Sequence, residues 1–190
     1  MQLPAPEMVN YWRLAENRTF YIDYEIDESV LEIQRSIINI NREDKGKSIE
    51  ERTPIKIFIQ SPGGCLYSTY SLVDTMLAST TPIVTVNMGI ALSGGFLLFL
   101  AGTHRYCLSR SQAMLHTGST GVQGTFEQVE ESQKTYRKQI QQMCDYVLSR
   151  TNIDQKTFNK NKSKDWYFDA DEQVEYGIAH SILKSIDEII

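Results

Sequence analysis

The sequence predicts an α/β fold built on a mostly parallel sheet, and three observations predict it. Apolar strand-like runs alternate with helical runs, glycine-rich turns follow two of the strands, and each strand–turn–helix unit leads into the next. Pro54-Ile-Lys-Ile-Phe-Ile59 ends in Gln60-Ser-Pro-Gly-Gly64 and precedes a helical pattern over 66–78, with Leu72, Val73, Met76 and Leu77 on its inner face. Pro82-Ile-Val-Thr-Val86 then leads, by way of Asn87, into Met88-Gly-Ile-Ala-Leu-Ser-Gly-Gly95 and the apolar helical run Phe96-Leu-Leu-Phe-Leu-Ala101. Such an alternation implies parallel strands joined by right-handed crossovers.

The remaining elements follow in order. Residues 1–10 carry Pro4 and Pro6 and no period, as an extended arm does. Residues 11–17 are short and amphipathic, 18–22 are β-rich, and 23–27 contain a turn. Val30, Ile33, Ile37, Ile38 and Ile40 recur near helical spacing, with Ser29 as the expected N-cap. Residues 41–52 are charged, contain Gly46 and read as an exposed loop. Residues 106–108 and 113–115 form two further short strands, the second running into His116. Residues 117–124 are rich in Gly, Ser and Thr, fitting either an extended substrate-facing strand or a plain loop. The longest helical run is 125–150, with an interrupted apolar stripe of Val129, Tyr136, Ile140, Met143, Tyr146 and Val147. Its other face is polar, so the helix is expected to project from the body. Residues 152–164 are polar, 165–168 form an aromatic strand, and 170–176 a brief helix stopped by Gly177. Residues 178–183 are a last apolar segment and 185–190 a tail.

Bulk properties narrow the function. A chain of 190 residues suits one domain with a sizeable core. With a net charge of -5 and no long basic run, nucleic acid is not expected as a partner. No apolar stretch is long enough to span a bilayer, and no secretory signal is expected, because residues 1–10 show no basic segment followed by an apolar one. Cys65, Cys107 and Cys144 have neither CxxC nor metal-ligand spacing, so reduced thiols, a cytoplasmic location and no metal are expected. Cys65, beside two glycines, fits a reactive thiol, but a buried packing residue is expected.

Ser93 lies where a strand turns sharply into a helix. A serine there is pushed out of the backbone, and the following amides favour negative charge beside it. An acyl-transfer nucleophile needs a hydroxyl in reach and donors for the oxyanion. Ala91 replaces the first glycine of the full nucleophile-elbow pattern. Small residues also let a helix pack on a sheet without any chemistry, so both readings stand on this stretch alone. The amides at Gly63 and Gly64 face a ligand or close an ordinary Pro-Gly turn. His116 at a strand end is a candidate base, and Asp165 could orient its ring. Spacing does not choose among 24 acidic residues.

Taken together, four motifs carry a resemblance: Ser61-Pro-Gly-Gly64, Gly89-Ile-Ala-Leu-Ser-Gly-Gly95, Met114-Leu-His116 with Gly121-Val-Gln-Gly124, and Val174-Glu-Tyr-Gly177. In order and spacing they resemble the Clp protease proteolytic subunit, over roughly residues 11 to 183. The resemblance implies the ClpP/crotonase fold, a repeated β-β-α spiral with a protruding handle helix at about 125–150, in a single domain over 1–190. It implies Ser93 as nucleophile, His116 as general base, Asp165 as the orienting carboxylate, and the Gly64 and Gly94 amides as the oxyanion hole. It also implies that Gly121, Val122 and Gln123 pair with the substrate backbone as an added strand. The expected partners are a peptide or unfolded-protein substrate, further copies of the chain in seven-membered rings that stack in pairs, and a Clp-type AAA+ ATPase. No cofactor is expected, and no P-loop occurs in the chain.

Several positions depart from the family's pattern. Gly94 stands where methionine is common, and Gly118 where a proline often follows the histidine. Ser163-Lys164 replaces an acidic–arginine pair, and Lys56 replaces an aromatic residue of the ATPase-docking pocket. The segment before Tyr11 is shorter than usual. The expected activity is that of an ATP-dependent serine endopeptidase subunit. Two alternatives are a weakly active or non-catalytic assembly subunit, and a crotonase-like acyl-CoA enzyme whose paired amides polarise a thioester. The candidate triad argues against the first, and the second would not require Ser93, His116 and Asp165 in these places.

Overall fold

The computed structural model describes residues 13–118 and 121–189. The expected arm at 1–10 lies outside them, as do the first two residues of the amphipathic segment, of which 13–16 are helical. Among the described residues the sheet has seven strands. Its main path runs β1 (Thr19–Ile22), β2 (Ile55–Ser61), β3 (Ile83–Leu92), β4 (His104–Cys107) and β7 (Ser181–Ile182), every pair parallel. β5 (Gln112–Leu115) lies parallel to β3, and β6 (Trp166–Phe168) antiparallel to β5.

β3 organises the sheet. Val84 to Asn87 pair with β4, whereas Ile90 to Leu92 pair with β5, so a single strand serves two neighbours along the same run. The sequence pattern ends this strand at Asn87, because Gly89 and the small residues beyond read as turn. The ladder to β5 carries it on to Leu92, and the Asn87 side chain accepts from the Gly89 amide across the weak point. Asn87 also donates to Gln112 O and Gln173 Oε1, joining β3 to the start of β5 and to the helix after β6 without an unsatisfied buried polar group.

Helices α1 (Leu31–Glu43) and α2 (Leu66–Ala78) bury Ile33, Ile37, Ile40, Leu72, Val73 and Met76 in the core. The cap before α1 is Asp27 rather than Ser29: its carboxylate accepts from the Ser29 amide and opens a 3-10 turn that runs into the helix. Helix α3 (Gly94–Leu100) is buried at every residue, which is why its sequence is apolar all round. Helix α4 (Phe126–Arg150) is capped by Thr125 and about 37 Å long at 1.5 Å per residue. Its buried residues, Met143, Cys144 and Val147, all lie toward its C-terminus, so its first turns stand in solvent. There Tyr146 donates to Leu97 O, and Arg150 to Leu100 O and Gly102 O, fixing this end to α3.

Two segments differ from expectation. The polar stretch 152–164 contains α5 (Gln155–Asn161), capped by Asp154 and anchored by the buried Phe158. The charged stretch 41–52 is not all exposed loop. Asp44 is fully buried, gripped by both terminal nitrogens of Arg18 at 2.6 and 2.9 Å, with Lys47 and Thr81 also donating to it. The last helix, α6 (Ala170–Glu175), ends just before Gly177, which has φ +67. No helix among the described residues is long and apolar enough to cross a membrane.

Candidate active site

Ser93 occupies the joint between β3 and α3 with φ 53 and ψ -117, a conformation that costs a non-glycine residue about 1–3 kcal/mol. Two bonds impose it. The Ser93 amide donates to Met114 O at 2.9 Å, and the Leu97 amide donates to Ser93 O at 3.2 Å. The strand is thus tied to β5 on one side and to the helix on the other, and the side chain is turned out of both.

The same β3–β5 pairing brings the imidazole over. Leu92 lies opposite Met114, and His116 follows two residues later. His116 Nε2 stands 2.8 Å from Ser93 Oγ. On the other side of the ring, Nδ1 lies 3.3 Å from Asp165 Oδ1. Asp165 arrives through the antiparallel β5–β6 ladder, in which Leu115 faces Trp166. An acceptor carboxylate at Nδ1 favours the tautomer with its proton there, leaving Nε2 free to accept from the serine. Asp165 remains 59% exposed, and His116 is 28% exposed.

Opposite the serine runs the turn after β2. Ile26 N–H donates to Gly63 O and Cys65 N–H to Ile26 O, both at 2.7 Å, which pins the turn to the segment before α1. Gly63 and Gly64 have φ +101 and +146, and a Cβ on Gly64 would lie 2.2 Å from Ile26 O. A Cβ on Gly94 would meet Thr69 Oγ1 at 2.6 Å. Glycine is therefore required at 64, where the clash is with backbone, whereas at 94 the Thr69 side chain would have to shift. Among the described residues no group accepts the Gly64 or Gly94 amide. Both residues line a pocket of about 270 Å³ together with Ser93 and His116. Leu66, Leu97, Leu115, Ile140 and Met143 give it an apolar wall, and Tyr70, Tyr136 and Gln139 a polar rim.

Gly121, Val122 and Gln123 are exposed and belong to no strand, and they do not line this pocket. Gly118 has φ +78, which a proline, held near -65°, cannot adopt. Cys65 is exposed rather than buried, and the Ser68 amide and hydroxyl hold its thiol below the usual range. Cys107 and Cys144 are buried. Among the described residues no group of three His, Cys, Asp or Glu side chains is arranged to hold a metal.

A strained serine at a strand–helix joint, an imidazole on its oxygen, a carboxylate on the imidazole and two glycine amides across the pocket define a hydrolase of the serine peptidase class on a parallel α/β scaffold. The chain belongs to the Clp protease family, whose model matches residues 7–186. It is 28% identical over 179 residues to the ATP-dependent Clp protease proteolytic subunit 3 of Rhodococcus jostii (strain RHA1), covering 93% of this chain and 86% of the relative. It is 27% identical over 186 residues to the ATP-dependent Clp protease proteolytic subunit of Porphyromonas gingivalis (strain ATCC BAA-308 / W83), covering 96% and 81%. It is 28% identical over 181 residues to subunit 1 of Corynebacterium jeikeium (strain K411), covering 94% and 93%.

Proposed function

We propose that the chain is a single-domain serine endopeptidase subunit in which Ser93, His116 and Asp165 form the catalytic relay. The observation that carries this reading is the 2.8 Å approach of His116 Nε2 to the oxygen of a strained serine. Ser93 Oγ attacks the peptide carbonyl carbon while its proton passes to His116 Nε2. The oxyanion takes the free amides of Gly64 and Gly94. As the C–N bond breaks, His116 returns the proton to the departing amine, leaving an acyl ester on Ser93. Water, deprotonated by the same imidazole, attacks the ester carbonyl; the Oγ–acyl bond breaks, the acyl group leaves as the carboxylic acid, and His116 returns the proton to Ser93 Oγ. Asp165 holds the ring in the working tautomer and stabilises the imidazolium. No step calls on a metal or cofactor. Gly121 to Gln123, exposed and without ladder partners among the described residues, present the backbone groups that an extended substrate would pair with.

The relatives' names supply the wider setting, proteolytic subunits of ATP-dependent proteases. In this reading copies of the chain assemble into seven-membered rings that stack in pairs, in the cytoplasm, and a Clp-type ATPase delivers unfolded substrate. The unpaired thiols of Cys65, Cys107 and Cys144 fit a reducing compartment. On the open face of the sheet a groove of about 630 Å³ contains Tyr21 stacked on Phe58 at 5.0 Å, with Val86, Met88 and Leu108. Lys56 lies in this groove and disfavours a purely apolar docking loop, because its ammonium would lose hydration. A partner loop with an acidic residue beside its apolar ones suits it better.

The test is a serine-directed fluorophosphonate probe with a fluorogenic peptide assay. The chain should be labelled at Ser93, and Ser93→Ala should lose labelling and cleave at least about 10⁴-fold more slowly while melting as the parent does. A Ser93→Ala protein that still cleaves near the parent rate would remove the serine from the mechanism. Labelling also separates this reading from an acyl-CoA enzyme that uses the two amides alone.

A further inference from the structure

The geometry points to Tyr136 as a positioning residue for His116, acting through a hydroxyl clamp on the backbone just beyond the imidazole; the inference rests on His116 being the general base. β5 ends at Leu115, and no ladder pairing or other backbone hydrogen bond among the described residues holds Thr117 or Gly118. What does hold this segment is the Tyr136 hydroxyl, which donates to Thr117 O at 2.9 Å. Gly118 follows with φ +78, a turn that residues other than glycine resist, and a Cβ there would stand 3.5 Å from the hydroxyl, an ordinary van der Waals contact.

The clamp is presented from a fixed support. Tyr136 lies on α4, whose C-terminal part is packed into the core. Three residues further on, Gln139 O accepts from the Tyr70 hydroxyl at 3.3 Å, which ties α4 to α2, the helix that follows the Gly64 turn. Tyr136 is half-buried, and its ring forms part of the wall that Ser93 and His116 share. The ring therefore belongs to the pocket, whereas the hydroxyl holds the Thr117 carbonyl just past the histidine. Removing only the hydroxyl leaves the wall in place and frees the segment that sets the imidazole's distance from Ser93. A reacting group displaced by a fraction of an ångström loses rate in the chemical step and little in ground-state binding.

The experiment is Tyr136→Phe in the full chain, with competent sites counted by fluorophosphonate titration so that rates refer to folded sites only. Peptide cleavage per site should fall about three- to tenfold in kcat with KM within about twofold, and the second-order labelling rate should fall in parallel, as expected for loss of one hydrogen bond. In a His116→Ala background the same substitution should change the residual labelling rate by less than about 1.5-fold, because the residue it positions is gone. An unchanged kcat per site, or an equal loss in both backgrounds, would overturn the clamp. A His116→Ala protein labelled as fast as the parent would instead overturn the assignment of the base, and the clamp with it.

Discussion

Gly64→Ala tests the oxyanion assignment without touching a reacting atom. The added Cβ would sit 2.2 Å from Ile26 O and 2.7 Å from Ile26 N, whereas an ordinary C···O contact is about 3.3 Å. The turn must therefore retreat by about 1 Å. It cannot do so freely, because two 2.7 Å hydrogen bonds join Gly63 and Cys65 to Ile26 on either side of the substituted residue. A φ of +146 adds strain of about 1–3 kcal/mol for any side chain. A 1 Å displacement of a catalytic group, or loss of one oxyanion donor, each lowers the rate about 10²-fold or more. The expected result is a fall of about 10²-fold in kcat on a short fluorogenic peptide, KM little changed, and a melting temperature lower by roughly 5 °C. Far-ultraviolet circular dichroism should be unaltered. Activity within about threefold of the parent would mean that the Gly64 amide does not bind the oxyanion, and the argument from the Ile26 contact would fail.

Asp165→Asn should lower kcat by about 10²–10³-fold, less than Ser93→Ala, because this carboxylate is more than half exposed and water replaces part of its role; an unchanged pH–rate profile and kcat would detach Asp165 from His116. The Arg18 hydrogen bonds, then those from Lys47 and Thr81, hold the buried Asp44 carboxyl below the usual range against the opposing effect of burial. Its contribution to stability is complete above the unfolded value of about 3.9 and is lost as pH falls through the lower folded one. Asp44→Asn should therefore cost about 3 kcal/mol at pH 7 and show a flatter acid limb in urea titrations, and parallel limbs would refute the linkage. Sedimentation should reveal seven-membered rings whose stacked pairs separate on dilution, since the exposed Ser163 and Lys164 offer no paired charges; a monomer at all concentrations, or a double ring that never separates, would contradict this.

The parallel scaffold was legible because strand, glycine turn and helix each leave a local signature, and β2, α2 and α3 need no distant residue to be recognised. The end of β3 was not, because its last residues are held by a ladder to β5 that composition does not announce. Asp44 was hidden for a related reason: it sits in a charged run, and its partners Arg18 and Thr81 are remote in the chain. Ser93 and His116 stood out by their places at a turn and a strand end. Asp165 was a candidate by its place before an aromatic strand, but spacing did not choose it among 24 acidic residues, and the resemblance did. Tyr136 fits the apolar stripe of α4, and nothing in that pattern marks a partner for its hydroxyl. α5 leaves a weak pattern because a single phenylalanine anchors it, although Asp154 is a usable N-cap signal.

The division of β3 between two neighbours has a consequence for when the enzyme becomes dangerous to its surroundings. An isolated β3–α3 segment carries the serine but nothing to deprotonate it. The imidazole joins only when the outer half of β3 has captured β5, and the carboxylate only when β6, delivered after the whole of α4, has closed on β5. Both are non-local pairings, formed late and slowly compared with helices. A nascent or partly unfolded chain is therefore a serine without its relay. In the proposed relay, hydrolytic competence waits for β6 to close on β5, so the fold itself delays proteolysis until the sheet around Ser93 has formed.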